Sequence, residues 1–188
     1  MNEDRTDLAE RFLALLHPIR RELEEHCRRL IWNENDAPDA LQNAVLRAFK
    51  GFDRYHDDGN FRAWMFKIVT NEVFRLNQKH GRLAQLEFQV EPAELEALSG
   101  MEASGGYKDW LSTPEAMSDA MDQDLVAGLK TLTEAERAVL LLRAIGEFRY
   151  REIADMLEIP MGSVMGHLAR ARNKLKTMAL RIQRRTGS

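Results

Sequence analysis

Apolar residues recur at intervals of three and four through most of this 188-residue chain, and no run alternates with period two for long enough to argue a sheet. Leu8, Phe12, Leu15, Leu16, Ile19, Leu23, Leu30 and Ile31 form one helical stripe. Pro18 falls inside it and predicts a kink or a restart, because proline lacks the amide that a helix interior needs. Leu41, Ala44, Val45, Ala48 and Phe49 form a second stripe, with Asp36 as candidate N-cap and Pro38 tolerated in the first turn. Gly51 to Gly59 reads as a short connection. Asn60 is placed to cap a third helix that buries Phe61, Trp64, Met65 and Ile68, with Val73 and Leu76 as further candidates. The expected fold class is all-α.

From about Leu83 to Thr113 the pattern weakens, and Ser99-Gly100, Ser104-Gly105-Gly106 and Thr113-Pro114 are breakers. Short helical pieces around Ala93 to Leu98 are the most this stretch suggests. Periodicity returns with Met117, Met121, Leu125 and Leu129, and Thr133 with Glu136 forms a capping box ahead of Ala138 to Leu142. The expected organisation is two small helical domains, 1–82 and 117–188, joined by a linker over 83–116. Charge follows the same division. The formal net charge is −3, yet residues 83–125 hold only Lys108 against ten acids, while 126–188 hold twelve bases and six acids. After Glu158 no acid remains, and Arg170, Arg172, Lys174, Lys176, Arg181, Arg184 and Arg185 follow. A one-signed end of this kind suits phosphates, or is simply a solvated helix face.

Several function classes lose ground on composition. Met1 to Glu10 is polar and acidic, and no stretch approaches the roughly 18 apolar residues of a membrane span, so a cytoplasmic protein not embedded in a membrane is expected. The lone Cys27 excludes an intrachain disulfide and a paired-cysteine zinc knuckle, and is expected to pack as a small apolar residue. No nucleophile-and-base spacing, glycine-rich phosphate loop or histidine pair at metal-ligand spacing is present. His56, Asp57 and Asp58, with His80 or His26, are the one conceivable metal set, but adjacent acids in a glycine-bounded loop read as solvated turn residues. No enzyme, cofactor, metal or small-molecule substrate is expected.

The most informative segment begins at Tyr150. Tyr150, Ile153, Ala154 and Leu157 make a short amphipathic helix, Glu158-Ile159-Pro160 a tight turn, and Val164, Leu168 and Ala171 the start of a longer basic helix. A helix-turn-helix requires this, with Ala154 as the small contact that lets the two axes approach. In such a unit the second helix offers early outward positions to base edges, here Ser163, Met165, Gly166 and His167, while Arg170, Arg172 and Lys174 reach phosphates. An ordinary helical hairpin would keep the same apolar positions.

The flanking residues sharpen the reading. Leu132-Thr133-Glu134-Ala135-Glu136-Arg137 with Ala138 to Leu142, then Tyr150-Arg151-Glu152-Ile153-Ala154, Pro160-Met161-Gly162-Ser163-Val164 and Leu168-Ala169-Arg170-Ala171-Arg172, resemble the fourth conserved region of extracytoplasmic-function sigma factors. Asp36-Ala37-Pro38-Asp39-Ala40-Leu41-Gln42 with Leu46-Arg47-Ala48-Phe49 resembles the second region of that sigma-70 family group, and Asn60 to Asn71 the adjoining promoter-melting region. The resemblance implies a factor that directs bacterial RNA polymerase core to promoter DNA. It places a polymerase-binding surface at Asp36, Asp39, Gln42, Asn43 and Arg47. It places minus 10 contacts at Phe61, Arg62, Trp64, Lys67, Asn71, Arg75, Lys79 and Arg82. Minus 35 contacts would fall at Arg149, Ser163, Met165, Gly166, His167, Arg170, Arg172 and Lys174, and family members are commonly held inactive by an anti-sigma partner. Aromatic and basic residues together suit an unpaired strand, since unstacked bases need apolar surface and the backbone needs countercharge; Phe66 belongs with Phe61 and Trp64 in that reading, although Trp64 also has the spacing of a core residue.

Departures from the family pattern are Asn43 where an acid is usual, Arg75 where aspartate is common, Gln78 where arginine is common, and Met165-Gly166-His167 in place of a lysine-serine-arginine run. Gly166 costs a helix about 1 kcal/mol relative to alanine, for which close backbone approach to DNA would be a reason. The rival reading is a helix-turn-helix repressor or activator with an amino-terminal sensing domain, which predicts a dimer on a palindromic operator and leaves the upstream matches unexplained.

Overall fold

The computed structural model describes residues 3–55, 60–79 and 119–186. The chain divides into two compact units, 1–83 and 84–188. Every regular element among the described residues is helical. No described helix is long and apolar enough to cross a membrane.

The first unit is built from α1 (Glu3–Leu16), α2 (Arg20–Leu30), α3 (Ala37–Gly51) and α4 (Phe61–Lys79). The first stripe does restart at Pro18: a 3-10 turn, His17–Ile19, takes the proline where no helical amide is needed, and α2 follows directly. Phe12, Leu16, Ile19, Leu23, Leu30 and Ile31 are buried, as their spacing requires. In α3 the inward face is alanine at 37, 40, 44 and 48, and these small side chains let α3 lie close along α4. Asp36 precedes α3 but does not cap it through its side chain; its carboxylate accepts from Asn33 Nδ2 at 3.1 Å, and Asn33 itself receives the Asn35 amide. Directly after α3 a 3-10 turn at Phe52–Arg54 buries Phe52, and residues 56–59 lie outside the described residues. Asn60 does cap α4, its Oδ1 accepting from the Ala63 amide at 3.1 Å.

The inward face of α4 differs from the expected one. Phe61, Met65, Phe66, Val69, Val73 and the polar Thr70, Glu72 and Asn77 are buried, while Trp64, Ile68 and Leu76 are half-buried. Thr70, Glu72 and Asn77 each find a partner on another element, and His26 finds one through Nε2, which limits the cost of removing them from water. His26 Nε2 lies 2.9 Å from Thr70 Oγ1, and Asn77 Oδ1 accepts the Trp32 amide at 3.1 Å. Complete burial pushes the His26 imidazole down to about 3, so it is neutral at ordinary pH. Cys27 is buried against the Ala37 carbonyl, and burial pushes its thiol up to about 12, in keeping with an inert packing residue.

The second unit is described through α5 (Asp119–Lys130), α6 (Glu134–Ala144), α7 (Tyr150–Leu157) and α8 (Met161–Thr186). Thr133 and Glu136 form the expected capping box at the start of α6. Every residue from Glu134 to Leu142 is buried, so α6 is the central helix, surrounded on all faces. Leu125 and Leu129 of α5, Phe148 of the connection, Ile153 and Met156 of α7, and Val164, Leu168, Ala171 and Leu175 of α8 complete the core. Gly128 is the point of closest approach: a Cβ there would stand 2.9 Å from Leu175 Cδ2. The linker, including Ala93 to Leu98, lies outside the described residues, as does Met117.

Candidate nucleic-acid interface

The turn between α7 and α8 is short because Glu158 adopts a left-handed conformation, φ 57° and ψ 41°, and Ile159 returns its amide to the Ala154 carbonyl at 3.1 Å. The single Pro160 carbonyl then accepts from both the Ser163 and Val164 amides, which starts α8. At the other end of α7 the Glu152 carboxylate accepts the Arg149 amide at 2.7 Å, leaving the Arg149 side chain exposed beside the helix start. These closures define a helix-turn-helix of the expected kind, with Ala154 and Ile159 packed inside it.

The register of α8 corrects the expected set of base-facing residues. At about 100° per residue, the core anchors Val164, Leu168, Ala171 and Leu175 turn one side of the helix inward. Ser163 and His167 lie toward that side at 4% and 2% exposure and are not outward residues. Gly166, although buried, falls on the opposite side of the helix, between Asn173 and Arg170. The outward face carries Gly162, Met165, Ala169, Asn173 and Lys176, with the half-buried Arg172 on its flank. Of the expected early readers only Met165 presents a side chain there, half-exposed.

Arg170 and Lys174 occupy the inner flank and turn toward α6. Lys174 Nζ donates to Glu136 Oε2 at 2.7 Å, Arg170 Nε lies 3.6 Å from Glu136 Oε1, and Arg170 Nη2 donates to His167 Nδ1 at 3.1 Å. Burial pushes the His167 imidazole down to about 4, Arg170 adding to the shift and Glu136 opposing it, so His167 is neutral and accepts from Arg170. Glu136 was legible in the sequence only as half of a capping box. The outward Ala169, Asn173 and Lys176 follow by rotation once the four core anchors of α8 are known, whereas no sequence signal pointed to the second role of Glu136.

In the first unit, aromatic rings gather between α1, the turn after α3 and the start of α4. Phe12, Phe52 and Phe61 pack edge to face with centroids 5.1 to 6.0 Å apart, and Phe61 is buried rather than presented to a strand. Trp64 is half-buried at the margin of this cluster, 5.1 Å from Tyr55, which is also half-buried and was not singled out by its sequence position. Phe66 is wholly buried and its ring lies under Arg62, whose Cζ is 5.1 Å from the ring centroid. Arg62 is also paired to Glu22 of α2, with Nε 2.9 Å from the carboxylate. Lys67 is half-buried, and Asn71 and Lys79 are exposed. Arg82 and the loop residues His56, Asp57 and Asp58, with His80, lie outside the described residues. Among the described residues no group of acids, histidines and cysteines could hold a metal.

Asp39, Gln42, Asn43 and Arg47 are exposed together on the outer face of α3, with Asp36 half-buried at its start. Arg47 and Arg75 both pair with Glu72, at 2.8 and 2.5 Å, and Glu72 is 1% exposed. The Arg75 hydrogen bond, against some cost of burial, and the Arg47 contact hold the Glu72 carboxyl below its ordinary range. Beside this face, α1, α2 and α3 enclose an open groove of about 750 Å³, lined by Leu13, Leu16, Leu23, Leu41, Val45 and Leu46, with Asp39 and Gln42 on its rim. Leu13 and Leu46 are 58% and 50% exposed.

Comparison with known proteins bears on both units. Residues 15–83 match the family model Sigma-70 region 2, and residues 122–175 match Sigma-70, region 4. The chain is 30% identical over 180 residues to the ECF RNA polymerase sigma factor SigG of Mycobacterium tuberculosis, with 89% of the chain and 48% of that protein covered. The chain thus spans about half the length of that relative. It is 28% identical over 152 residues to the ECF RNA polymerase sigma-E factor of Escherichia coli, covering 80% of the chain and 77% of that protein. Among solved structures, the sigma factor RpoE in complex with the anti-sigma factor NepR from Bartonella quintana is similar at a TM-score of 0.65. The identity there is 22%, with 92% of this chain and 96% of that one covered. CnrH, in complex with the cytosolic domain of CnrY, is similar at a TM-score of 0.61 and 23% identity, over 94% of this chain and 96% of that one. At these identities the structural likeness concerns the fold.

Proposed function

The chain belongs to the sigma-70 family, in its extracytoplasmic-function group, and on that premise we propose that it directs bacterial RNA polymerase core to specific promoters. The observation that carries the reading is the presence of regions 2 and 4, in order, on two compact units of one chain. The domain over 1–82 binds the polymerase clamp and opens the minus 10 element. The domain over 117–188 reads the minus 35 element, and 83–116 links them. The chain catalyses no reaction of its own and acts in the cytoplasm.

The outer face of α3 is the surface assigned to polymerase, through Asp36, Asp39, Gln42, Asn43 and Arg47, with the apolar groove and Leu46 extending it. Exposed apolar side chains next to a charged rim are what a protein interface uses. Asn71, Arg75 and Lys79 on α4, with Lys67, Arg62 and the half-buried Trp64 and Tyr55, supply the minus 10 contacts, and Arg82 belongs with them. On the helix-turn-helix the assignment moves to the outward face: Met165, Ala169 and Asn173 toward base edges, Arg149, Arg172 and Lys176 toward phosphates. An anti-sigma protein is a fitting regulator for such a chain. Run-off transcription with purified core polymerase and genomic fragments tests the reading. Discrete promoter-specific transcripts that appear only with both components are expected. Tight binding of the isolated chain to a palindromic duplex, without association with polymerase, would replace it with the repressor reading.

A further inference from the structure

His167, Arg170 and Lys174 succeed one another at three and four along α8, so they share one edge of the helix, and Glu136 stands opposite that edge. The Glu136 side chain is 3% exposed, against 31% for Arg170 and 42% for Lys174. Both cations are thus drawn back onto an acid inside the unit while their shafts remain at the surface. The acid is fully engaged: one oxygen accepts from Lys174 and from the Thr133 amide, and the other faces Arg170. Burial works against the charged form, yet the Lys174 and Thr133 hydrogen bonds and the two cations hold the carboxyl below the usual range.

The helix end does not need that charge. A capping box is served by glutamine as well as by glutamate, since only an acceptor is required. What the charge adds is a hold on two of the cations nearest the outward face. Each cation free to neutralise a phosphate adds about 0.9 to the dependence of log affinity on log salt, and adds it at any sequence. Discrimination is the ratio of specific to non-specific binding, so charge withheld at arbitrary sequence and released at the cognate site raises it.

We propose that Glu136 is a specificity-determining residue of the helix-turn-helix, holding Lys174 and Arg170 against α6 and so withholding their charge from phosphates at arbitrary sequence. The inference rests on the reading of this unit as DNA-binding. Lys176, exposed on α8, supplies a phosphate contact that remains, and Arg170 and Lys174 are held in reserve.

Fluorescence anisotropy of the full chain on a random-sequence duplex, titrated across salt, tests it. Glu136→Gln keeps the cap and removes the charge; it is expected to tighten low-salt binding and steepen the salt slope by about 0.9 for each cation released, about 1.8 when both Lys174 and Arg170 reach phosphate. Lys174→Gln is expected to cost less than half as much slope in the wild-type background as in the Glu136→Gln background. Thr133→Ala weakens the same helix end without touching the ion pairs, and its slope should match wild type. An unchanged or shallower slope for Glu136→Gln with helical content intact overturns the proposal. Should Glu136→Gln fail to fold, a full loss of about 0.9 in Lys174→Gln alone overturns it, because Lys174 would already be reaching phosphate. Wild type that binds with an unaltered slope in every variant removes this inference alone. Absence of low-salt duplex binding by wild type and variants alike removes the DNA-binding reading and this inference with it.

Discussion

Replacing Glu158 with glycine should make the helix-turn-helix unit more stable without changing what it reads. Glu158 sits at φ 57° and ψ 41°, where an L side chain crowds its own carbonyl, and the turn is locked there by its amide and that of Ile159, both directed at the Ala154 carbonyl. The left-handed conformation costs an L residue roughly 1–2 kcal/mol, and glycine escapes that cost. Against this, glycine gives the unfolded chain more freedom, worth about 0.4–1 kcal/mol. The expected net gain is about 1 kcal/mol, or a rise of roughly 4 °C or more in the melting temperature of a unit this size. Glu158→Ala is the control, since it removes the same charge and contacts while keeping the Cβ. The glycine variant should exceed the alanine variant by about 1 kcal/mol in hydrogen-exchange protection of the α7 and α8 amides. Equal protection in the two, or lower protection with glycine, would show that the turn is not locked in the left-handed region.

Four further outcomes are expected. In a transcription selection on a library randomised in the upstream promoter element, Met165→Arg should alter the preferred sequence, because the outward face gains a side chain that pairs bidentately with guanine. His167→Ala should leave the preference unaltered and cost about 2 kcal/mol in a urea melt, because it truncates a buried side chain; a changed preference for His167→Ala would mean that α8 is rotated from the register described. Substituting Asp39→Lys together with Leu46→Asp should abolish co-purification with core polymerase at unchanged helical content, both side chains being exposed, and undiminished co-purification would take the polymerase surface off α3. The buried His26 should make the first unit acid-sensitive. Its pKa is depressed from 6.5 unfolded to about 3 folded, so the unfolded chain binds the proton first as pH falls. The neutral imidazole's contribution is therefore complete above pH 6.5 and lost progressively toward pH 3. His26→Gln should flatten that part of the stability profile relative to wild type, and parallel profiles would refute the assignment.

The helices and most of their ends are legible in the sequence, because they depend on neighbours within a turn, although Asp36 does not cap α3 as its position suggests. Pro18 forces a restart through its missing amide, Asn60 caps α4, Thr133 and Glu136 cap α6, and the apolar spacing around Glu158-Ile159-Pro160 sets out a helix-turn-helix. The sigma-70 regions were legible for a related reason, since their motifs combine core spacing with turn chemistry along a short length of chain. Rotation about each helix axis was a different matter. Which side of α8 faces outward depends on how Val164, Leu168, Ala171 and Leu175 pack on α6 and α7, and that packing buries His167 and Ser163, which by type alone suited base readout. The same holds for α4, where Phe66 is in the core and Trp64 at its margin. Ion pairs across helices were further still from the sequence. Glu136 and Lys174 are 38 positions apart, and Arg47 and Glu72 are 25 apart, so only the tertiary structure brings each charge to its partner. Local amide chemistry is written in short stretches of chain, whereas the facing of a helix and the pairing of distant charges are decided by what the whole core must exclude from water.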